Sequence, residues 1–223
     1  MIEGLIFDFD GLILDTETPS FQAWQEVYER HGCELTLEEW ADCIGRSQDA
    51  FDPCDYLESR LGHPLDRPRV LADEQKAEAE RIRQQQVLPG VRETIEAASR
   101  RGLKLGVASS SDRKWVNGYL AHLGLRERFD AIRCVDDVER AKPDPDLYVA
   151  VLEALGLEPH QAIAFEDSPN GVLAAKRAGV FCVAVPNFLT KQLPFDHAAD
   201  FTVTSLKQIA LEELLEIAGK RKA

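Results

Sequence analysis

Apolar residues run unbroken through LIF at 5–7 and stop at two aspartates, Asp8 and Asp10, with Phe9 between them. An unbroken apolar run closed by a polar turn is the pattern of a strand covered on both faces. From about Pro19 to Gln86 the pattern changes to helical spacing with no strand-like run. Phe21, Trp24 and Val27/Tyr28 recur on one face, TLEEW at 36–40 has the form of a capping box, and 73–86 reads as a polar surface helix with few buried contacts. After VLPGV (87–91), strands predicted over 103–110, 129–135, 161–167, 180–186 and 200–203 alternate with helices over 90–102, 112–124, 144–156, 169–179 and 206–220. In the helix over 112–124, Trp115, Tyr119 and Leu123 are spaced four apart. Apolar strands alternating with helices of about 10–15 residues predict βαβ units, and so an α/β fold with a parallel sheet covered on both faces. The predicted organisation is an α/β core over 1–16 and 88–223, with a helical insertion over 17–87 after the first strand.

Composition narrows the partners. The 223 residues, 44% of them hydrophobic, suffice for a core of about 150 residues plus the insertion. A formal net charge of −13 argues against nucleic acid or an anionic membrane as partner, since both would be repelled at long range. A small anionic substrate remains compatible with it, provided the site carries its own positive charge. No apolar run approaches the ~18–20 residues of a membrane span, and Met1, Ile2 and Glu3 lack the basic flank of a signal peptide, so the expected location is cytoplasmic. The five cysteines are scattered without a CxxC or Cys/His spacing, which indicates neither a disulfide framework nor a zinc site.

In open parallel sheets ligands bind beyond the carboxyl ends of the strands. Asp8 and Asp10 follow the first strand, Ser109, Ser110 and Ser111 the second, Lys142 the third after an acidic loop, and Glu166 and Asp167 the fourth. Converging carboxylates repel one another unless a hard cation lies among them, and Mg2+ takes such oxygen ligands together with phosphate oxygens. A lysine and serine hydroxyls suit the remaining oxygens of a phosphoryl group. One aspartate beside bound phosphate can serve as nucleophile, and a second, two residues on, can move protons. Gly11 lets the chain turn at once.

DFDGLILDTE, VASSS, KPDP and FEDSPNG, in this order and spacing, resemble the haloacid dehalogenase superfamily, and within it the branch of β-phosphoglucomutases and sugar phosphatases. The resemblance implies a Rossmann-like parallel sheet with a helical cap domain inserted after the first strand. It also implies Asp8 as nucleophile and metal ligand, and Asp10 as general acid/base with its backbone carbonyl on the metal. Ser109 and Lys142 would hold the phosphoryl group, aided by backbone N–H groups near Asp10 and Ser110. Asp167, with Glu166, would complete a Mg2+ site. Asp15, Thr16 and Glu17 are expected at the hinge to the cap. Within the cap, IGRSQDAF (44–51) is the expected reach toward the site, with Arg46 or Gln48 on the leaving group.

Whether water or a second sugar hydroxyl accepts the phosphoryl group separates a phosphatase from a β-phosphoglucomutase-type phosphomutase. Mutases of this branch carry a histidine where this chain has Ser20, and an arginine where it has Gln48, with Arg46 as a possible substitute; these departures favour the phosphatase. Asp10 with Glu166 and Asp167 argues against a dehalogenase, which needs neither metal nor second acid. The length and the insertion argue against a phospho-accepting receiver domain. The expected partner is a small phosphorylated metabolite, with no nucleic acid and no membrane, and the expected state is a monomer.

Overall fold

The first strand, β1 (Gly4–Phe7), is buried at every position. The computed structural model describes residues 1–41, 52–193, 195 and 199–220; Arg46 and Gln48 lie outside them. After β1 come α1 (Glu17–Arg30), α2 (Leu37–Ala41), α3 (Pro53–Leu61), α4 (Arg67–Ile82) and α5 (Val91–Arg100). Then follow β2 (Lys104–Ala108), α6 (Arg113–His122), β3 (Ala131–Arg133), α7 (Asp146–Leu155) and β4 (Ala162–Glu166). The chain continues through α8 (Pro169–Arg177), β5 (Phe181–Ala184), β6 (Phe201–Thr202) and α9 (Leu211–Gly219). Among the described residues no helix is long and apolar enough to cross a membrane.

The strands form one six-stranded sheet in the order β3-β2-β1-β4-β5-β6, with every pairing parallel. This is the Rossmann-like α/β arrangement. β1 lies between β2 and β4, where the strand order reverses direction, so its carboxyl end opens on the crevice that such sheets use for ligands. Phe7 anchors that end, its ring 4.9 Å from Phe165 and 5.9 Å from Phe129. On one face α7 and α8 cover the sheet with a buried cluster that includes Leu147, Tyr148, Val151, Val172 and Ala175. Gly106, on β2, lets α7 approach closely, for a β-carbon there would collide with Val151.

The chain divides into two compact units, one of residues 1–14, 86–187 and 194–223, the other of 15–85 and 188–193. Residues 188–193, which sequence alone leaves in the α/β part, thus cluster with the helical unit. That unit has its own core, with Phe21, Trp24, Val27 and Tyr28 of α1 packed with Leu35, Trp40, Leu57, Val70 and Leu189. Thr36 and Glu39 form the expected capping box, Glu39 N–H on Thr36 Oγ1 at 3.2 Å and Thr36 N–H on Glu39 Oε2 at 2.8 Å. α4 begins six residues before the predicted start, because Asp66 caps it and Pro68 is tolerated in a first turn. It is also less superficial than its polar sequence implies, burying Val70, Glu74 and Ile82.

Two helices of the α/β unit differ from the sequence pattern. The closing helix starts at Leu211 and not at 206, since the Ser205 hydroxyl takes the Lys207 N–H and makes 206–208 a separate short turn. In α6 the buried residues are Val116 and Leu120. The stripe of Trp115, Tyr119 and Leu123 is only half-buried, with the Trp115 and Tyr119 rings packed edge to face at 4.8 Å.

Candidate active site

Asp8 follows β1 directly, its N–H bonded to Phe165 O of β4 at 3.0 Å, so the ladder that builds the sheet also aims this residue. Lys142 Nζ lies 2.7 Å from Asp8 Oδ1 and 2.7 Å from Glu166 Oε1. Each of Asp8, Glu166 and Asp167 offers an oxygen within 4.8 Å of the others, and all three are buried. Three buried carboxylates against one ammonium leave excess negative charge, and Glu166 Oε2 is a buried oxygen with no hydrogen-bond partner. An oxygen-only donor set of this kind fits a hard divalent cation.

The turn after Asp8 is tight: Phe9 O accepts the Ile13 N–H at 2.9 Å, and the Gly11 N–H returns to Leu14 O at 2.8 Å. Gly11 has φ +75°, and a β-carbon there would run into Asp167 and lie 2.6 Å from Asn187 Nδ2. The Asp10 carboxylate is not a member of the acidic cluster and meets the loop and helix that follow β2. Asp10 Oδ2 accepts from Ser111 Oγ at 2.7 Å and Ser109 Oγ at 3.2 Å, and Oδ1 accepts from Trp115 Nε1 at 2.9 Å.

Of the predicted residues, Asp8, Asp10, Ser109, Lys142, Glu166 and Asp167 therefore meet at one sheet edge, and Ser110 stands exposed on the same loop. Ser109 is fully buried, with its hydroxyl also accepting the Ser111 N–H at 3.0 Å. The cap of α6 is Asp112, which accepts the Trp115 N–H.

Sequence reasoning missed four neighbours. Tyr148 donates its hydroxyl to Glu166 Oε1, and its ring lies 5.5 Å from Lys142 Nζ. Asn187 Nδ2 donates to Asp167 Oδ2 at 2.7 Å and to Gly11 O at 3.3 Å. It lies just beyond β5, so the strand-end rule would have found it had the fifth strand end been included. In sequence Trp115 shows only its four-residue spacing with Tyr119 and Leu123, and Gly171 only its place inside a helix.

Burial shapes the electrostatics. It pulls the Lys142 ammonium down, but the charges of Asp8 and then Glu166 outweigh it, so the net shift is upward and the lysine stays a cation. Glu166 moves up because burial and the Asp8 charge outweigh the Lys142 charge and the Lys142 and Tyr148 hydrogen bonds. Burial, followed by the Glu166 charge, holds the Tyr148 phenol well above its usual value, so it serves as a donor.

A family model described as haloacid dehalogenase-like hydrolase matches residues 5–185. YhcW of Bacillus subtilis (strain 168) is 44% identical over 216 residues, covering 97% of this chain and 97% of its own. A phosphorylated carbohydrates phosphatase of Thermotoga maritima is 33% identical over 181 residues, 80% of this chain and 82% of that one. The crystal structure of a CbbY variant from Rhodobacter sphaeroides in complex with xylulose-(1,5)bisphosphate matches with a TM-score of 0.72 at 30% identity, covering 94% of this chain and 97% of that one. With the sheet order, the acidic edge and these matches in agreement, the chain belongs to the haloacid dehalogenase-like hydrolase family.

Proposed function

We propose that this hydrolase is a Mg2+-dependent phosphatase of small phosphomonoesters, sugar phosphates foremost, working through an aspartyl phosphate on Asp8. The observation that carries the reading is the placement of Asp8: one carboxylate oxygen is held by Lys142 at 2.7 Å, inside a buried acidic cluster, with a second aspartate on the adjoining turn. The relative named for phosphorylated carbohydrates and the CbbY complex with a sugar bisphosphate support the substrate class.

Asp8, Asp167 and the Asp10 backbone carbonyl, with Glu166 beside them, would hold Mg2+, which when bound supplies positive charge to the phosphoryl oxygens. Asp8 Oδ2, the oxygen that Lys142 does not hold, forms the new bond to phosphorus as the ester P–O bond breaks. Asp10 gives its proton to the leaving oxygen. The Asp10 carboxylate then takes a proton from water, whose oxygen attacks phosphorus and releases Asp8 unchanged. Lys142 and Ser109 hold the phosphoryl oxygens, with backbone N–H groups near Asp10 and Ser110 beside them. The helical unit of 15–85 and 188–193 serves as the cap that excludes bulk water and selects the alcohol portion.

The test is phosphate release from a panel of small phosphomonoesters with and without Mg2+, alongside glucose-6-phosphate formation from β-glucose-1-phosphate. Mg2+-dependent release that Asp8→Asn lowers by at least about three orders of magnitude is the expected result. Isomerisation without net release would make the protein a phosphomutase. Unchanged turnover in Asp8→Asn would remove the covalent mechanism.

A further inference from the structure

We propose that Trp115 and Ser111 are positioning residues that fix the orientation of the Asp10 carboxyl group toward the leaving oxygen of the substrate. The inference rests on the phosphatase reading and extends it to residues with no role in the proposed chemistry so far.

The geometry begins with α6. Asp112 caps the helix by accepting the Trp115 N–H at 2.8 Å, which sets the first turn and with it the direction of the Trp115 side chain. Tyr119, one turn on, packs against the indole with ring centroids 4.8 Å apart and an interplanar angle of 68°. The backbone and the neighbouring ring therefore hold the indole, and its edge reaches Asp10 Oδ1 at 2.9 Å. Ser111 Oγ reaches the other oxygen, Oδ2, at 2.7 Å. A carboxyl group held at both oxygens from one rigid turn cannot rotate about its Cβ–Cγ bond without breaking a bond on each side.

The two donors are not equivalent. An indole N–H only donates, whereas a hydroxyl donates or accepts. Oδ1 faces a group that cannot accept a proton from it, and Oδ2 faces hydroxyls that can turn round. The arrangement marks Oδ2 as the oxygen that carries the proton to the leaving alcohol, and leaves Oδ1 as a permanent acceptor. A mere packing role would give no reason for a half-buried tryptophan, in the helix after β2, to direct its N–H at a carboxylate 105 residues away in sequence.

The decisive experiment measures kcat/KM, which reports the steps up to phosphoryl transfer, for a sugar phosphate and for p-nitrophenyl phosphate. A sugar alkoxide needs a proton as it leaves, while nitrophenolate does not. Trp115→Phe keeps a ring and deletes the N–H. Expected is a loss of about 10- to 100-fold on the sugar phosphate, part of the ~10²–10⁴ that general acid catalysis provides, with little change on p-nitrophenyl phosphate. In an Asp10→Asn background, Trp115→Phe is expected to add no further loss, the signature of a residue acting through another. Ser111→Ala is expected to show the same dependence on the leaving group while leaving the aromatic pair intact, so it gives the answer even if Trp115→Phe folds poorly. Equal losses on both substrates for both variants, or a full additional loss in the Asp10→Asn background, would overturn the positioning role while leaving the phosphatase standing. No phosphate release from either ester by the unmodified protein would overturn the phosphatase reading itself.

Discussion

Gly171 is a glycine because Glu166 fills the space its side chain would take: a β-carbon at 171 would overlap Oε2 and Cδ of the glutamate. The first turn of the helix that follows the site strand thus contains a residue whose missing side chain admits a fully buried carboxylate. Gly171→Ala has to displace either Glu166 or the first turn of α8. The expected cost is about 1–3 kcal/mol, as for other overpacked interiors, with a fall in turnover because Glu166 also meets Lys142. Chemical denaturation alongside phosphate release measures both, and an alanine variant with unchanged stability would contradict the packing argument.

Lys142 pairs with two carboxylates at once, lying 2.7 Å from each of Asp8 and Glu166 with its side chain only 6% exposed. Lys142→Met leaves both buried carboxylates without their cation, for an expected loss of about 3–5 kcal/mol and of nearly all turnover. Adding Glu166→Gln to that variant removes one of the unpaired charges. Stability is expected to recover in part, and activity is not. A double variant no more stable than Lys142→Met would show that charge is not the cause of the loss.

Asn187 holds Asp167 at 2.7 Å and bonds the Gly11 carbonyl as well, so it orients one member of the acidic cluster without belonging to it. Partners of this kind change metal affinity by about 10–100-fold when removed. Asn187→Ala is expected to raise the Mg2+ concentration for half-maximal phosphate release by that factor, with turnover largely restored at saturating Mg2+. A titration curve that does not move would separate Asn187 from the metal.

Glu74 is a buried carboxyl in the helical unit, pushed up to about 7 by burial and then by the Glu78 charge, from an ordinary value of 4.5. Its folded pKa is above its unfolded one, so folding is favoured while the group is protonated in both states, below about 4.5. That stability is lost as pH rises toward 7, and the penalty, at most about 3 kcal/mol, then stays constant. Glu74→Gln is expected to gain stability over the unmodified protein progressively between pH 4.5 and 7 and by a fixed amount above. Thermal unfolding of both proteins across that range measures the difference. A gain independent of pH would assign it to packing and not to charge.

Much of the architecture is legible in the chain because its signals are local. The unbroken apolar strands, the turn residues after them and the alternation with helices determine a parallel α/β sheet and, by the strand-end rule, the residues that line its edge: Asp8, Asp10, Ser109, Lys142, Glu166 and Asp167. The tertiary structure alone decided how those residues are divided. It placed Asp8 and Glu166 against one ammonium with Asp167 in the same acidic cluster, and turned Asp10 toward Ser111 and Trp115. The four-residue spacing of Trp115, Tyr119 and Leu123 indicates a shared helix face but not what that face meets. The buried face is that of Val116 and Leu120, and the tryptophan serves the site. Tyr148 and Gly171 were hidden for the same reason, since the one is defined by a partner distant in the chain and the other by a shape complementarity with no periodicity. Periodicity records which side of an element is buried; which polar atom a side chain meets depends on the approach of segments that only the folded sheet brings together.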